Sequence, residues 1–276
     1  MSSMVDAQQE IESGQRFAFG ANWSAFLSVM SEQRIEVAQK ALGQLLGTDS
    51  LAGKRFLDIG SGSGLSSLSA FRMGAEVSSF DFDQKSVNCT TELRRRFGQE
   101  SPRWTVQQGS VLDPAFMNSL GTFDVVYSWG VLHHTGQMWN AIDQASQRVA
   151  PGGQFFIAIY NDEGGMSRFW KAVKRIYCSG TAGRWLMLAV FMPYFVLRHL
   201  AKLVLTGGKG SSTRTRGMSV YYDWIDWLGG YPFEVAKVEE LLHFCQARGF
   251  TLENLTTTNR LGCNELVFRR TGLASS

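Results

Sequence analysis

Apolar residues recur along this chain in two alternating periods. Short apolar runs, such as Phe56, Leu57 and Ile59, alternate with stretches in which apolar residues return every three or four positions. The first run ends in Gly60, Gly62 and Gly64, and Leu65, Leu68 and Phe71 follow at helical spacing. Strand, glycine turn and helix are therefore expected over 55–72. The pattern then predicts a strand at Glu76–Asp81 and a helix at Gln84–Phe97, whose last turn carries Arg94, Arg95 and Arg96 where the helix dipole favours them. Further strands are expected at Trp104–Gln108, 123–128 and 154–160, with a helix over 138–149 that stops before Pro151 and Gly153. A helix at 238–248, ended by Gly249, leads to strands at 250–258 and 264–269 joined by a turn at Leu261 and Gly262. Strands alternating with helices of this length predict an α/β fold around a mostly parallel sheet with right-handed crossovers.

Two regions break that alternation. Residues 31–46 read as an amphipathic helix through Ile35, Ala38, Leu42 and Leu45, and the preceding 16–30 are rich in aromatics, among them Phe17, Phe19, Trp23 and Phe26. Those rings suit either core packing of a leading helix or a lid; 1–15 are polar, read as a frayed terminus, and lack a signal-peptide pattern. The second region is 164–232. Within 166–178, Met166, Phe169, Trp170, Val173, Ile176 and Tyr177 share one helical face, and Arg168, Lys171, Lys174 and Arg175 fall mainly on the other. Thirteen uncharged residues follow at 185–197, interrupted by Pro193. That is shorter than the roughly 20 apolar residues a membrane span needs. The motif YYDWIDWLGGYP then returns the chain to Phe233. The expected organisation is a helical cap over 1–50, a core formed by 51–163 and 233–270, and an inserted segment, 164–232.

Charge sharpens the picture of the insertion. The net charge is only +3, yet ten Lys/Arg and no Asp/Glu lie between Gly164 and Tyr222. The rest of the chain therefore carries seventeen basic against twenty-four acidic residues. A basic helix beside a short apolar segment suits a lid, an interfacial contact with an anionic membrane, or a dimer interface. It is too apolar, and lacks a recognised module, for nucleic acid. With 276 residues, 44% of them hydrophobic, the chain can bury a sizeable core. Its four cysteines are scattered without a C-x-x-C pair, which argues against a zinc site or disulfide framework and fits a reducing, cytoplasmic compartment.

Candidate chemistry gathers at the carboxyl ends of the strands, where open α/β sheets bind ligands. The first strand ends in D-I-G-S-G-S-G, a G-x-G-x-G spacing rather than the G-x-G-x-x-G of a dinucleotide fingerprint. That spacing argues against a nucleotide-dependent oxidoreductase. Asp58 interrupts an otherwise apolar strand, and Asp81 closes the second strand, where an acid can accept both hydroxyls of a ribose. Asp83 reads as a helix N-cap.

This set of residues resembles the class I methyltransferases that depend on S-adenosylmethionine. The resemblance covers 51–163 and 233–270. It implies a Rossmann-like, seven-stranded, mostly parallel sheet with an antiparallel C-terminal strand, an N-terminal helical cap and an α-helical insertion. It also implies S-adenosylmethionine as cofactor. Gly60, Ser61, Gly62 and Gly64 would run under its methionine and ribose moieties, with Asp58 toward the sulfonium side and Asp81 on the ribose. Phe82 would flank the adenine, Ser110 and the Val111 N–H would meet its edge, and Ser128 would complete the cofactor set. Relatives often carry Asp where Ser110 stands, but a serine can still donate or accept.

The segment YSWGVLHHT resembles the stretch after the fourth strand in small-molecule methyltransferases, including ubiquinone-pathway types, where a histidine faces the acceptor. His133 and His134 are thus the candidate catalytic residues, His133 preferred. Phe19, Trp23, Trp129, Asn161, Tyr221 and Tyr222 are the candidate acceptor-pocket residues. No metal-ligand set accompanies the histidines, and no Asn-Pro-Pro-Tyr tetrad points to amino methylation. By elimination the expected reaction is O-methylation of a small acceptor, an amphiphilic or lipid-linked one included. The alternatives are N- or S-methylation of a small metabolite, or a non-catalytic membrane-peripheral protein retaining the fold. The expected partners are the acceptor and an anionic membrane surface, but not nucleic acid. The expected assembly is a monomer or homodimer, cytoplasmic or membrane-peripheral.

Overall fold

A computed structural model describes Leu27 and residues 30–99, 101–205 and 220–271; within these, the side chains of 202, 220–223 and 226 are outside the description. Helix α1, Glu32–Leu46, opens the described chain, capped by Ser31, whose hydroxyl accepts from the Arg34 N–H. Strand and helix then alternate: β1 Arg55–Ile59, α2 Leu65–Arg72, β2 Glu76–Asp81, α3 Gln84–Phe97, β3 Trp104–Gln108, α4 Pro114–Ser119 and β4 Phe123–Trp129. A short 3₁₀ turn, Leu132–His134, leads to α5 Met138–Ser146 and β5 Val149–Tyr160. Three helices follow, α6 Gly165–Tyr177, α7 Thr181–Leu205 and α8 Val220–Gly229, and the chain closes with α9 Val238–Gln246, β6 Phe250–Thr256 and β7 Cys263–Arg270.

The seven strands form one sheet in the order β3-β2-β1-β4-β5-β7-β6. The first five pair in parallel; β7 joins β5 and β6 antiparallel. Four of the five residues of β1 are buried, as expected for a central strand covered on both faces. Leu57, Ile59, Val126, Phe155 and Ile157 pack with α5 and α9 through Met138, Ile142 and Leu241. Phe56, Tyr127, Phe156 and Ala158 pack with Ile35 and Leu42 of α1 and with Leu68 of α2. Period-two alternation along β5 thus feeds two cores, one on each face.

Three expectations need correction. The fifth strand begins at Val149, not Gln154, because Val149 pairs with Phe123 ahead of a bulge, after which Gln154 pairs with Val125. Pro151, Gly152 and Gly153 therefore lie inside the strand; a bulge accommodates residues that a regular ladder rejects. The apolar run around Pro193 is one continuous helix of 25 residues rather than an interrupted segment. The helix expected over 138–149 ends at Ser146.

Helices α6–α8 have their own apolar cluster. Trp170, Val173 and Tyr177 of α6, Met187 and Phe195 of α7, Leu228 of α8 and Phe233 pack together, with Tyr160 at the end of β5 against them. Lys174 is fully buried in this cluster. Its ammonium donates to the Trp227 carbonyl and lies 4.5 Å from the Trp227 ring centroid and 5.1 Å from that of Phe233.

Candidate active site

Strand order reverses between β1 and β4, so the crevice beyond their carboxyl ends is the topological switch point of the sheet. The glycine turn after β1 and the histidine turn after β4 border this crevice together. Gly60, Gly62 and Gly64 have φ of 75°, 53° and 80°, a left-handed region in which side chains are disfavoured. A Cβ on Gly60 would come within 2.5 Å of the Val131 methyls, three residues before His134. One on Gly64 would meet Thr90 of α3 at 2.9 Å. Bare backbone is thus enforced by close neighbours as well as by dihedral angle.

The turn is held from below by side chains. Asp81 accepts from the Gly62 N–H and from the Asp83 N–H, both at 2.9 Å. Burial pushes its carboxyl up to about 6 against those two bonds. Ser61 Oγ lies 3.0 Å from Thr90 Oγ1, which also donates to the Gly62 carbonyl at 3.2 Å. Sequence reading missed Thr90. Its signal is a hydroxyl on the buried face of α3, beside Val87 and Leu93.

Asp58 does not stand open at the strand end. Its carboxylate accepts from Ser67 Oγ of α2 at 2.5 Å; Ser67 also lies 2.7 Å from Ser79 Oγ, which accepts from Trp104 Nε1 at 2.8 Å. Burial pushes Asp58 up to about 7, with the neighbouring Asp81 charge adding to the rise. Ser128 is fully buried and donates to the Ile59 carbonyl at 3.1 Å, clasping β4 to β1 rather than facing the crevice. Phe82 is half-buried, and its carbonyl accepts from Gln108 Nε2 at 3.0 Å. Ser110 Oγ accepts from the Leu112 N–H at 3.2 Å, and the Val111 side chain belongs to the core.

The two histidines have different surroundings. His133 is fully buried between His134 and Tyr160, at ring-centroid distances of 4.4 and 4.1 Å. Neither of its ring nitrogens makes a hydrogen bond among the described residues. Burial, then His134 and Lys174, hold its imidazole well below the usual histidine range, with the Ala158 carbonyl pulling weakly the other way. His134 is half-buried, with Nδ1 2.6 Å from the Pro232 carbonyl. A carbonyl only accepts, so Nδ1 carries hydrogen and, in the neutral ring, Nε2 carries the lone pair. The loop after α8 is tied to this turn again: the Glu234 N–H donates to the His133 carbonyl at 3.0 Å, and the Met138 N–H donates to the Glu234 carboxylate at 3.0 Å.

Two of the expected acceptor-pocket residues are engaged elsewhere. Trp129 Nε1 donates to Glu265 at 2.8 Å, and its ring packs with the α1-side core. Asn161 donates to Glu163 at 2.6 Å and accepts from Asn264 at 3.0 Å, bracing β7 against the end of β5. Phe19 and Trp23 lie outside the described residues, as do the side chains of Tyr221 and Tyr222.

A parallel sheet with an antiparallel last pair, a bare-backbone turn at its switch point and an acid closing β2 define a class I methyltransferase fold. A family profile described as "Methyltransferase domain" matches residues 30–207, more than half of the sequence, and the chain belongs to that family. It is 32% identical over 111 residues to a ubiquinone biosynthesis O-methyltransferase of Aromatoleum aromaticum, a match covering 40% of this chain and 46% of that protein. A protein of the same description from Vibrio parahaemolyticus is 32% identical over 114 residues, 41% of this chain and 46% of its own. The chain thus spans less than half the length of these relatives. Among solved structures, magnesium protoporphyrin IX methyltransferase from Synechocystis PCC 6803 with bound SAH superposes with a TM-score of 0.52 at 15% identity, covering 86% of this chain and 83% of that one. PKMT2 from Rickettsia typhi in complex with AdoHcy gives 0.54 at 14% identity, covering 84% and 52%. The fold is shared with proteins crystallised with the product form of S-adenosylmethionine.

Proposed function

We propose that this chain is an S-adenosylmethionine-dependent O-methyltransferase acting on a small, amphiphilic acceptor beside the ends of β4 and β5. The cofactor fits the crevice on three counts: glycines that leave no side chain over the turn, an acid closing β2, and backbone N–H groups at the start of α2. Gly60–Gly64 would carry the amino-acid and ribose parts, and Asp81 the ribose hydroxyls. When bound, S-adenosylmethionine supplies a methyl group on a positively charged sulfur. The work left to the chain is to align the acceptor oxygen and remove its proton.

The observation that carries this reading is the fixed ring of His134. Its Nδ1–H is held by Pro232, which presents Nε2 as the proton-accepting nitrogen. We assign the base to His134 rather than His133, because His133 is enclosed by Tyr160 and His134 and its charged form is strongly disfavoured. Tyr160, in ring contact with both Trp227 and Phe233, supplies with them an apolar wall suited to an aromatic or tailed acceptor. The name of the ubiquinone-pathway relatives supports oxygen as the acceptor atom. The test is transfer of a labelled methyl group to a panel of phenols, carboxylic acids, amines and thiols, each with and without an alkyl tail. Methyl ethers of tailed phenols or methyl esters of tailed carboxylic acids are expected. Labelling confined to amines or thiols would overturn the reading.

A further inference from the structure

Helix α7 is long and apolar enough to cross a membrane by length and composition, yet only 6% of its most apolar window is buried. Its two faces differ sharply. Met187 and Phe195 are buried, and Phe191 joins them against Trp170 of α6. Opposite them, Leu186, Val190, Pro193, Leu197, Leu200 and Val204 return every three or four residues, forming one outward stripe about five turns long. Leu197 is 66% exposed and Val204 81%. Exposed Trp185 and Tyr194 stand at the two edges of this stripe. Among the described side chains no charge falls within it: Arg198 lies off it, and Arg184 turns back to 5.6 Å from the Tyr177 ring. On α6, Phe169 and Ile176 are exposed, Phe169 lying 6.3 Å from Phe191, and Arg168, Lys171 and Arg175 are exposed on another face of the same helix.

We infer that this outer face of the α6–α7 pair docks on the surface of an anionic lipid bilayer. An aliphatic stripe with aromatic edges and flanking cations is what an in-plane interfacial helix presents, with the apolar face in the acyl boundary and the cations at headgroups. Two features favour an in-plane helix over a crossing one. Arg184 and Arg198 bracket only thirteen uncharged residues, fewer than the roughly 20 a span requires. The inner face of α7 is also built into the cluster that holds α6, α8 and Phe233, and withdrawing it would strip that cluster. Charge also disfavours a second copy of this chain. An isologous contact would set the same cations against one another, and there is no acid between Gly164 and Tyr222 to pair them. The inner side of this same helix pair packs against Tyr160, which contacts His133, so the docked face lies over the acceptor end of the sheet. The inference goes beyond the methyl-transfer reading and does not depend on which atom is methylated.

The experiment is co-sedimentation of the full chain with phosphatidylcholine vesicles, with and without phosphatidylglycerol, at low and high salt. Titration with S-adenosylhomocysteine serves as a separate check on the fold and the cofactor reading. Binding to phosphatidylglycerol vesicles is expected, weakened by salt and absent for phosphatidylcholine alone. Leu197→Glu with Leu200→Glu should abolish it. Lys171→Gln with Arg175→Gln should lower partitioning roughly 25-fold, about fivefold per cation. Three outcomes would overturn the inference. One is a soluble, monodisperse chain that ignores anionic vesicles at low salt, and another is equal binding to neutral vesicles. The third is a concentration-dependent dimer, lost in the Leu197→Glu variant, that binds no lipid; the face would then belong to a second copy.

Discussion

His134 Nδ1 lies 2.6 Å from the carbonyl oxygen of Pro232, a residue 98 positions later in the chain. This contact sets the tautomer of the proposed base and ties the histidine turn to the loop after α8. His134→Gln should leave S-adenosylhomocysteine affinity unchanged and lower kcat about 10²-fold or more, the usual contribution of a general base. His133→Phe, filling the same buried volume, should keep turnover within severalfold. Full activity in His134→Gln would leave the acceptor without a base at this position.

Asp81 is expected to hold the cofactor ribose through its ionised carboxylate. Its folded value is raised to about 6, so the ionised form prevails above that pH and is lost as pH falls through it. Affinity for S-adenosylhomocysteine, followed by calorimetry, should therefore drop between pH 7 and pH 5. Asp81→Ala should weaken binding by at least ~1.5 kcal/mol, the scale of a charge-assisted hydrogen bond. An unchanged dissociation constant in a folded variant would remove Asp81 from the site.

Asp58 makes a different prediction because its bonds lie inside the domain. Its carboxyl is raised to about 7, so the folded chain keeps a proton that the unfolded chain releases near the ordinary value of 3.8. Between those two values the folded state binds more protons, and stability falls as pH rises. Asp58→Asn keeps an acceptor for Ser67 Oγ and removes this titration. Its melting temperature should vary less with pH across that window than the parent's. A slope identical to the parent's would show that other groups govern it.

Gly60→Ala should be damaging for a reason that can be relieved. The added methyl would lie 2.5 Å from Val131 and demand a left-handed backbone, φ 75°. Overpacking costs about 1–3 kcal/mol and the left-handed alanine ~1 more. Val131→Ala in the same chain should recover the packing part but not the backbone part. Denaturant unfolding of the two single variants and the double variant separates them. Strict additivity would mean the turn moves away from Val131.

How much of this protein is local can be judged from particular residues. The strand at Arg55–Ile59, the glycines after it and the helix from Leu65 were legible because periodicity and left-handed glycine positions are properties of short stretches. So were Asp81 at the end of β2 and Asp83, whose side chain caps α3 at the Lys85 N–H. The start of β5 was misplaced because Val149 pairs with Phe123 across a bulge, and pairing is a relation between strands. The chain around Pro193 was expected to break, yet α7 continues because its inner face packs on α6 and α8. Ser128 and Asp58 stood at strand ends in the sequence, but only packing turned one hydroxyl to Ile59 and one carboxylate to Ser67. The choice between the adjacent histidines was likewise tertiary. One has its ring fixed by Pro232, and the other is buried against Tyr160, by chain far away in sequence. The sequence by itself determined the strand–turn–helix alternation, the glycine turn and the acid of β2, because these follow from local backbone and side-chain chemistry. Tertiary structure alone decided which polar groups are consumed inside the domain and which apolar face of the insertion is left outward, because burial depends on what packs against each residue.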